Sequence, residues 1–240
     1  MDVIAIQATQ SNTTKREITM IKVENLSKRF GNQLVFENLD FQVNDGEFIS
    51  LVGPNGSGKT TLVKIIIGLE KPSGGHIETS NQTIGYVPQF RNIDSDYPLS
   101  IEQFIRLNLK ITLNPEKRQH NNELIKTILQ RTGLTEIKDR PLGLVSGGEK
   151  QKAYLAQALL NDPKTLILDE STASLDVEVK NQLMDLVQEL NRKYHLTVIF
   201  ITHDYDLTKK YTSRALLFKN KTVEPIDVQD VSEDMFEMEE

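Results

Sequence analysis

Residues Gly53-Pro-Asn-Gly-Ser-Gly-Lys-Thr-Thr61 place a lysine and two threonines directly after a run of glycines. The spacing G-x-x-x-x-G-K-[ST] is that of a loop wrapped around a polyphosphate. Backbone N–H groups must come close to phosphate oxygens, and a Cβ at Gly53, Gly56 or Gly58 would block that approach or forbid the dihedrals. Pro54, Asn55 and Ser57 complete the loop. Lys59 would bridge β- and γ-phosphate oxygens, and the Thr60 hydroxyl, next to Thr61, would ligate Mg²⁺. Glu47–Val52 before the loop reads as a short buried strand. Thr61–Ile67 after it reads as a buried helix stopped by Gly68. Strand, glycine loop and helix together aim N–H groups and the positive helix end at an anion.

A second group of chemistry-bearing residues lies downstream. Leu166-Ile-Leu-Asp169-Glu170 is an apolar strand ending in two carboxylates, and ligands of open α/β sheets bind beyond the carboxyl ends of strands. Asp169 is therefore placed to hold Mg²⁺, directly or through water, and Glu170 to polarise an attacking water. Ser146-Gly-Gly-Glu149 admits two readings. Ser146 with Glu149 makes a capping box. Gly147 and Gly148 cost about 1 kcal/mol each in a helix interior relative to Ala, a cost that makes sense if another molecule's phosphate approaches the backbone there.

The elements that must position these groups alternate. Ile21, Val23, Leu26, Val35, Leu39, Phe41 and Val43, with a turn at Asn44-Asp-Gly46, read as an antiparallel sheet leading into the phosphate loop. The chain from about 90 to 148 is polar and helix-forming. It opens with the capping box Ser100-Ile-Glu-Gln103 and carries a stripe at Leu124, Ile125, Ile128 and Leu129, so it reads as an inserted helical subdomain. A helix follows from Ser146 to about Leu160, then a strand at Thr165–Leu168. Val179, Leu183, Leu186, Val187 and Leu190 mark an amphipathic helix. Leu196–Ile201 is the next strand, with a last apolar stretch from Ala215 to Phe218. Such alternation implies an α/β fold with a mostly parallel sheet. Residues 1–19 are expected as a disordered tail, 20–224 as the folded domain, and 225–240 as a solvated acidic tail.

Net charge is −6 over 240 residues, which counts against a nucleic-acid partner, although a local basic patch would be compatible. The chain has no cysteine, hence no disulfide and no thiolate metal site. Its four histidines, at 76, 120, 195 and 203, are scattered. No apolar run reaches the roughly 18 residues of a membrane span, and no signal peptide is visible.

Taken in order, these motifs resemble the ATP-binding subunit of an ABC transporter over about Ile21 to Glu224. Phe30 stands at the adenine-stacking position, Gly53–Thr61 as Walker A, and Gln89 in Tyr-Val-Pro-Gln as the Q-loop glutamine. Ser146–Glu149 stands as the signature, Leu166–Glu170 as Walker B, Ser174-Leu-Asp176 as the D-loop, and His203 as the switch histidine. Phe30 takes the place of a common tyrosine, Val145 of a leucine, Glu149 of a glutamine, Lys152 of an arginine, and Ser171 of the proline after Walker B. None of these removes a catalytic group. The resemblance implies a P-loop ATPase core with an N-terminal antiparallel β-subdomain and an inserted helical subdomain. It implies ATP and Mg²⁺, the ion held by Thr60, Gln89 and Asp169. It also implies a head-to-tail dimer in which Ser146 to Glu149 reach the nucleotide on the other subunit, and Asp176 communicates across it. Glu170, His203 and Lys59 would then be catalytic. The partners would be a multi-span permease and, indirectly, an extracellular solute-binding protein, with the ATPase on the cytoplasmic face of the membrane.

The segment after Gln89, with Asp94, Asp96, Tyr97 and Pro98, resembles that of zinc and manganese importers. Zinc stands ahead of manganese as the expected cargo. The alternatives are another ABC importer or exporter, a soluble ABC protein acting on ribosomes or DNA, and a non-hydrolysing regulatory partner. A single set of motifs and a short insertion oppose the second, and intact Lys59, Asp169, Glu170 and His203 oppose the third.

Overall fold

The computed structural model describes residues 19–80, 83–89, 93–172 and 175–236. All but the last residue of the segment expected as an N-terminal tail lies outside these. Two sheets organise the chain. The smaller is antiparallel and three-stranded, in the order β2-β1-β4, built from β1 (Thr19–Phe30), β2 (Gln33–Asn44) and β4 (Gly74–Thr79). Alternation decides its faces: Ile21, Val23 and Leu26 point into the core, while Lys22 and Glu24 look outward.

The larger sheet has six strands in the order β5-β6-β7-β3-β8-β9. They are β3 (Phe48–Val52), β5 (Ile84–Val87), β6 (Thr165–Asp169), β7 (Thr197–Ile201), β8 (Arg214–Lys219) and β9 (Thr222–Asp227). All pairs are parallel except β8–β9. Strands β3, β6 and β7 are buried along their whole length, as expected of parallel strands covered on both faces. Helices α1 (Lys59–Ile66), α5 (Val177–Tyr194) and α6 (Tyr205–Tyr211) follow β3, β6 and β7 at the sheet's carboxyl edge, α2 (Ile101–Arg106) and α3 (Pro115–Arg131) form the helical insertion, and α4 (Gly147–Leu159) leads from it to β6. Ser100 caps α2 in the expected box with Gln103. Ile125, Ile128 and Leu129 are buried on α3 as the stripe requires.

Three strands escaped the sequence reading, β4, β5 and β9. The last carries the chain past residue 224. Pro225 sits in it opposite Leu216, at the sheet's edge, where a missing N–H costs no ladder bond. The segment expected as a solvated tail is therefore docked in part. Val231 is buried, and Phe236 meets Tyr205 edge-on at 6.1 Å.

Candidate functional site

Phosphate loop and helix tip form the floor of the site. Gly53, Gly56 and Gly58 all have positive φ (137°, 77° and 110°). A Cβ on Gly58 would stand 2.9 Å from Val35 Cγ1, and one on Gly53 2.6 Å from the Phe218 carbonyl oxygen. Gly56 faces open space. Gly58 caps α1 in the left-handed region and supplies no side-chain acceptor. Every other α-helix described has its first N–H groups capped by its own Ser, Asn or Asp. The N–H groups at the start of α1 are thus left for an anion. The Ser57 hydroxyl oxygen is buried with no hydrogen-bond partner among the described residues.

Lys59 is buried, and its ammonium donates to the carbonyls of Gly53 and Pro54, both at 2.8 Å. Burial pushes its pKa down, while the charges of Glu170 and Asp169 pull it up. The loop, Phe30, Glu170 and Asn220-Lys221 line a cleft of about 930 Å³. At its mouth Phe30 is 49% exposed. The Lys28 ammonium lies 4.5 Å from the ring centroid. That ammonium is itself fixed by Glu70 and the Lys71 carbonyl, both at 2.7 Å.

The carboxylates stand at the end of β6. Asp169 is buried at 3% exposure and accepts a hydrogen bond from the Tyr86 hydroxyl at 2.9 Å. Burial raises the Asp169 pKa, the Tyr86 hydrogen bond opposes that rise, and the neighbouring Glu170 adds to it. Glu170 sits at φ 45°, in the left-handed region, with its N–H on the Ile201 carbonyl at 3.0 Å. One of its oxygens accepts from Gln89 Nε2 at 2.6 Å, and the other lies 3.2 Å from His203 Nε2. The His203 pKa is pushed down by burial first and by the Lys59 charge second, against the pull of Glu170. Lys59, Asp169, Glu170, Gln89 and His203 are thereby gathered from separate strands and loops. Oxygen donors from a hydroxyl, an amide and a carboxylate at Thr60, Gln89 and Asp169 make a set suited to Mg²⁺.

Ser146 to Glu149 are not gathered with them. Ser146 caps α4, with its hydroxyl accepting from Glu149 N–H at 3.3 Å and Glu149 accepting from Ser146 N–H at 2.7 Å. Arg140 lies 3.7 Å from Glu149. Burial works to raise the Glu149 pKa, but the Ser146 hydrogen bonds and Arg140 outweigh it and the net shift is down. Gly148 also has a packing reason, because a Cβ there would reach 2.5 Å from Val179 Cγ1. Asp176 caps α5 through Val179 N–H at 2.9 Å. Ser174 lies outside the described residues.

Tyr86 had drawn no role in the sequence. The available signal was its position on β5 beside β6, opposite Ile167, two residues before Asp169. A separate depression of about 710 Å³, lined by Asp45, Arg192 and His195 among others, opens near the amino-terminal ends of β3 and β7 and holds none of these residues.

The sequence pattern described as ABC transporter matches residues 36–173. The chain is an ATPase subunit of the ABC transporter family. Among its relatives, a zinc import ATP-binding protein, ZnuC, from Photorhabdus laumondii is 35% identical over 82% of this chain and 74% of its own length. Among solved structures, a metal-chelate type ABC transporter in an inward-facing conformation superposes with a TM-score of 0.79. It has 27% identity and covers 88% of this chain and 84% of its own. A dimeric, post-hydrolysis ATP-binding cassette, MJ0796, bound to ADP and Pi, does so with a TM-score of 0.70. It has 25% identity over 87% of this chain and 99% of its own. The overall fold expected for the family, an α/β ATPase core with an antiparallel β-subdomain, is the one observed. No helix among the described residues is long and apolar enough to cross a membrane.

Proposed function

We propose that this subunit hydrolyses ATP to drive zinc import through a membrane permease, paired head to tail with a second ATPase subunit on the cytoplasmic face of the membrane. The observation that carries the reading is Glu170, held between Gln89 and His203 above the buried Lys59. The curated relative named for zinc import supplies the cargo. An extracellular solute-binding protein would deliver it.

The loop from Gly53 to Thr61 binds the phosphates through its N–H groups, with Phe30 against the adenine. Lys59 exchanges the Gly53 and Pro54 carbonyls for phosphate oxygens. Thr60, Gln89 and Asp169 hold Mg²⁺, which when bound neutralises charge on the phosphate and leaving-group oxygens. Glu170 accepts a proton from water as the water oxygen bonds to the γ-phosphorus and the bond to the ADP oxygen breaks. His203, kept neutral by burial, orients Glu170 and that water. Ser146, Gly147, Gly148 and Glu149 of the partner subunit close over the γ-phosphate, and Asp176 links the two sites.

Two inactive variants test the pairing. Lys59→Ala abolishes a subunit's own phosphate seat, and Ser146→Arg blocks the one it completes on its partner. Mixed together, they form heterodimers with one intact site, so activity returns. A mixture as inactive as either variant alone rejects the head-to-tail arrangement. Uptake in cells expressing the permease tests the cargo, and transport of another solute with no zinc accumulation rejects the zinc assignment.

A further inference from the structure

We infer that the outer face of the antiparallel sheet carries a surface site for a zinc-class divalent cation, formed by Glu24, His76 and Glu78. Glu24 on β1 is the register partner of His76 on β4, and Glu78 lies two residues further along the same face. Their ligand atoms lie within 4.8 Å of one another. His76 Nε2 is 3.0 Å from Glu24 Oε2 and 3.7 Å from Glu78 Oε1. Zinc bound to nitrogen and oxygen at about 2.0–2.2 Å in a tetrahedron separates its ligands by roughly 3.3–3.5 Å. The two distances bracket that edge, so small movements of exposed side chains complete the triangle. Water supplies the fourth position.

Two carboxylates stand against one ammonium here. Lys22, the register partner of Glu78, engages the other Glu24 oxygen, at 2.5 Å. It neutralises one carboxylate and leaves Glu24 Oε2 turned toward the imidazole. The ligands ride on paired strands rather than on a loop. Beside them β4 is pressed against β1: a Cβ on Gly75 would stand 2.2 Å from the Asn25 carbonyl oxygen. One imidazole with two carboxylates suits zinc-like first-row ions better than Mg²⁺ or Ca²⁺, which take all-oxygen sets. The site is independent of the cargo that the transporter moves.

Equilibrium dialysis of the full chain against Zn²⁺ in excess Mg²⁺ tests the inference. The expected result is one zinc equivalent whose affinity falls at least about tenfold in His76→Ala and in Glu78→Gln, since even the loss of outer-shell partners costs 10–100-fold. His203→Ala leaves it unchanged. Zinc also raises the melting temperature of the wild type and not that of His76→Ala. In zinc-free buffer His76→Ala hydrolyses Mg–ATP at the wild-type rate, which keeps this test apart from that of the ATPase. No bound zinc in the wild type, an equivalent retained in His76→Ala, or one lost with His203→Ala overturns the site.

Discussion

Tyr86→Phe removes one oxygen from a part-buried pair. The Tyr86 hydroxyl donates to Asp169 Oδ2 at 2.9 Å, and Asp169 is only 3% exposed. A hydrogen bond to a charged group contributes about 1.5–3 kcal/mol. At this chain length 1 kcal/mol moves the melting temperature by about 2–4 °C, so a loss of roughly 3–12 °C is expected at neutral pH. The sign of the pH dependence follows from the Asp169 pKa, which burial holds above its ordinary value and Tyr86 pulls down. Removing Tyr86 raises it further. The lost interaction serves the ionised carboxylate, so the difference between variant and wild type is full above the native Asp169 pKa. It shrinks as pH falls through that value and the carboxyl protonates. Thermal melts in chelator, with no nucleotide, across acid to neutral pH read this directly. A deficit equal at every pH assigns the effect to ring packing, and no deficit at neutral pH removes the hydrogen bond from the argument.

Glu170→Gln keeps the shape of the side chain but not its basicity. Turnover is expected to fall by about 10²–10⁴ with ATP binding retained, and steady-state hydrolysis near the wild-type rate refutes the assignment. Gly58→Ala meets Val35 and Phe36 at about 3 Å in a left-handed backbone. Strain of order 1–3 kcal/mol is expected as a lower melting temperature together with lost nucleotide binding in a fluorescent-ATP titration. His203 has a lowered pKa, so the unfolded chain takes up its proton first as pH falls. Stability drops as pH moves down from the ordinary histidine value of 6.5 toward the native one, and the melting profile of His203→Ala lacks that component.

Local pattern carried far in this chain where one stretch of residues held both the chemistry and its support. Gly53–Thr61 announced its loop because the strand and helix flanking it are continuous with it. Ser100 and Ser146 announced their helices because a capping box is complete within a few residues. What stayed hidden depends on neighbours distant in sequence. β4 has no buried alternation, since most of it is exposed at the edge of a small sheet. β9 holds a proline that only an edge position tolerates. Tyr86 and Asp169 are brought together only when β5 pairs with β6. Gly148 looked like a concession to a ligand, and the Val179 side chain on α5 gives it a packing role as well.

Glu170 has φ 45° without being glycine, a conformation that costs of order 1–3 kcal/mol and persists only where the surroundings impose it. Here they do: its N–H bonds to Ile201 at the end of β7, and each carboxylate oxygen has a partner, Gln89 on one side and His203 on the other. The carboxylate is therefore aimed by the sheet but occupied by its neighbours. Lys59 is in the same condition, satisfied by two loop carbonyls at the place a phosphate would take. Under the proposed mechanism both groups give up internal partners when the nucleotide enters. Gln89 leads from β5 into the helical insertion, which ends at Ser146 and the tip of α4. A shift of Gln89 off Glu170 is thus tied to the same segment that, in the proposed head-to-tail pairing, presents Ser146 to Glu149 to a second subunit. Under the proposed mechanism that connection lets one event, nucleotide binding, free Glu170 and bring up the residues that the single chain keeps apart.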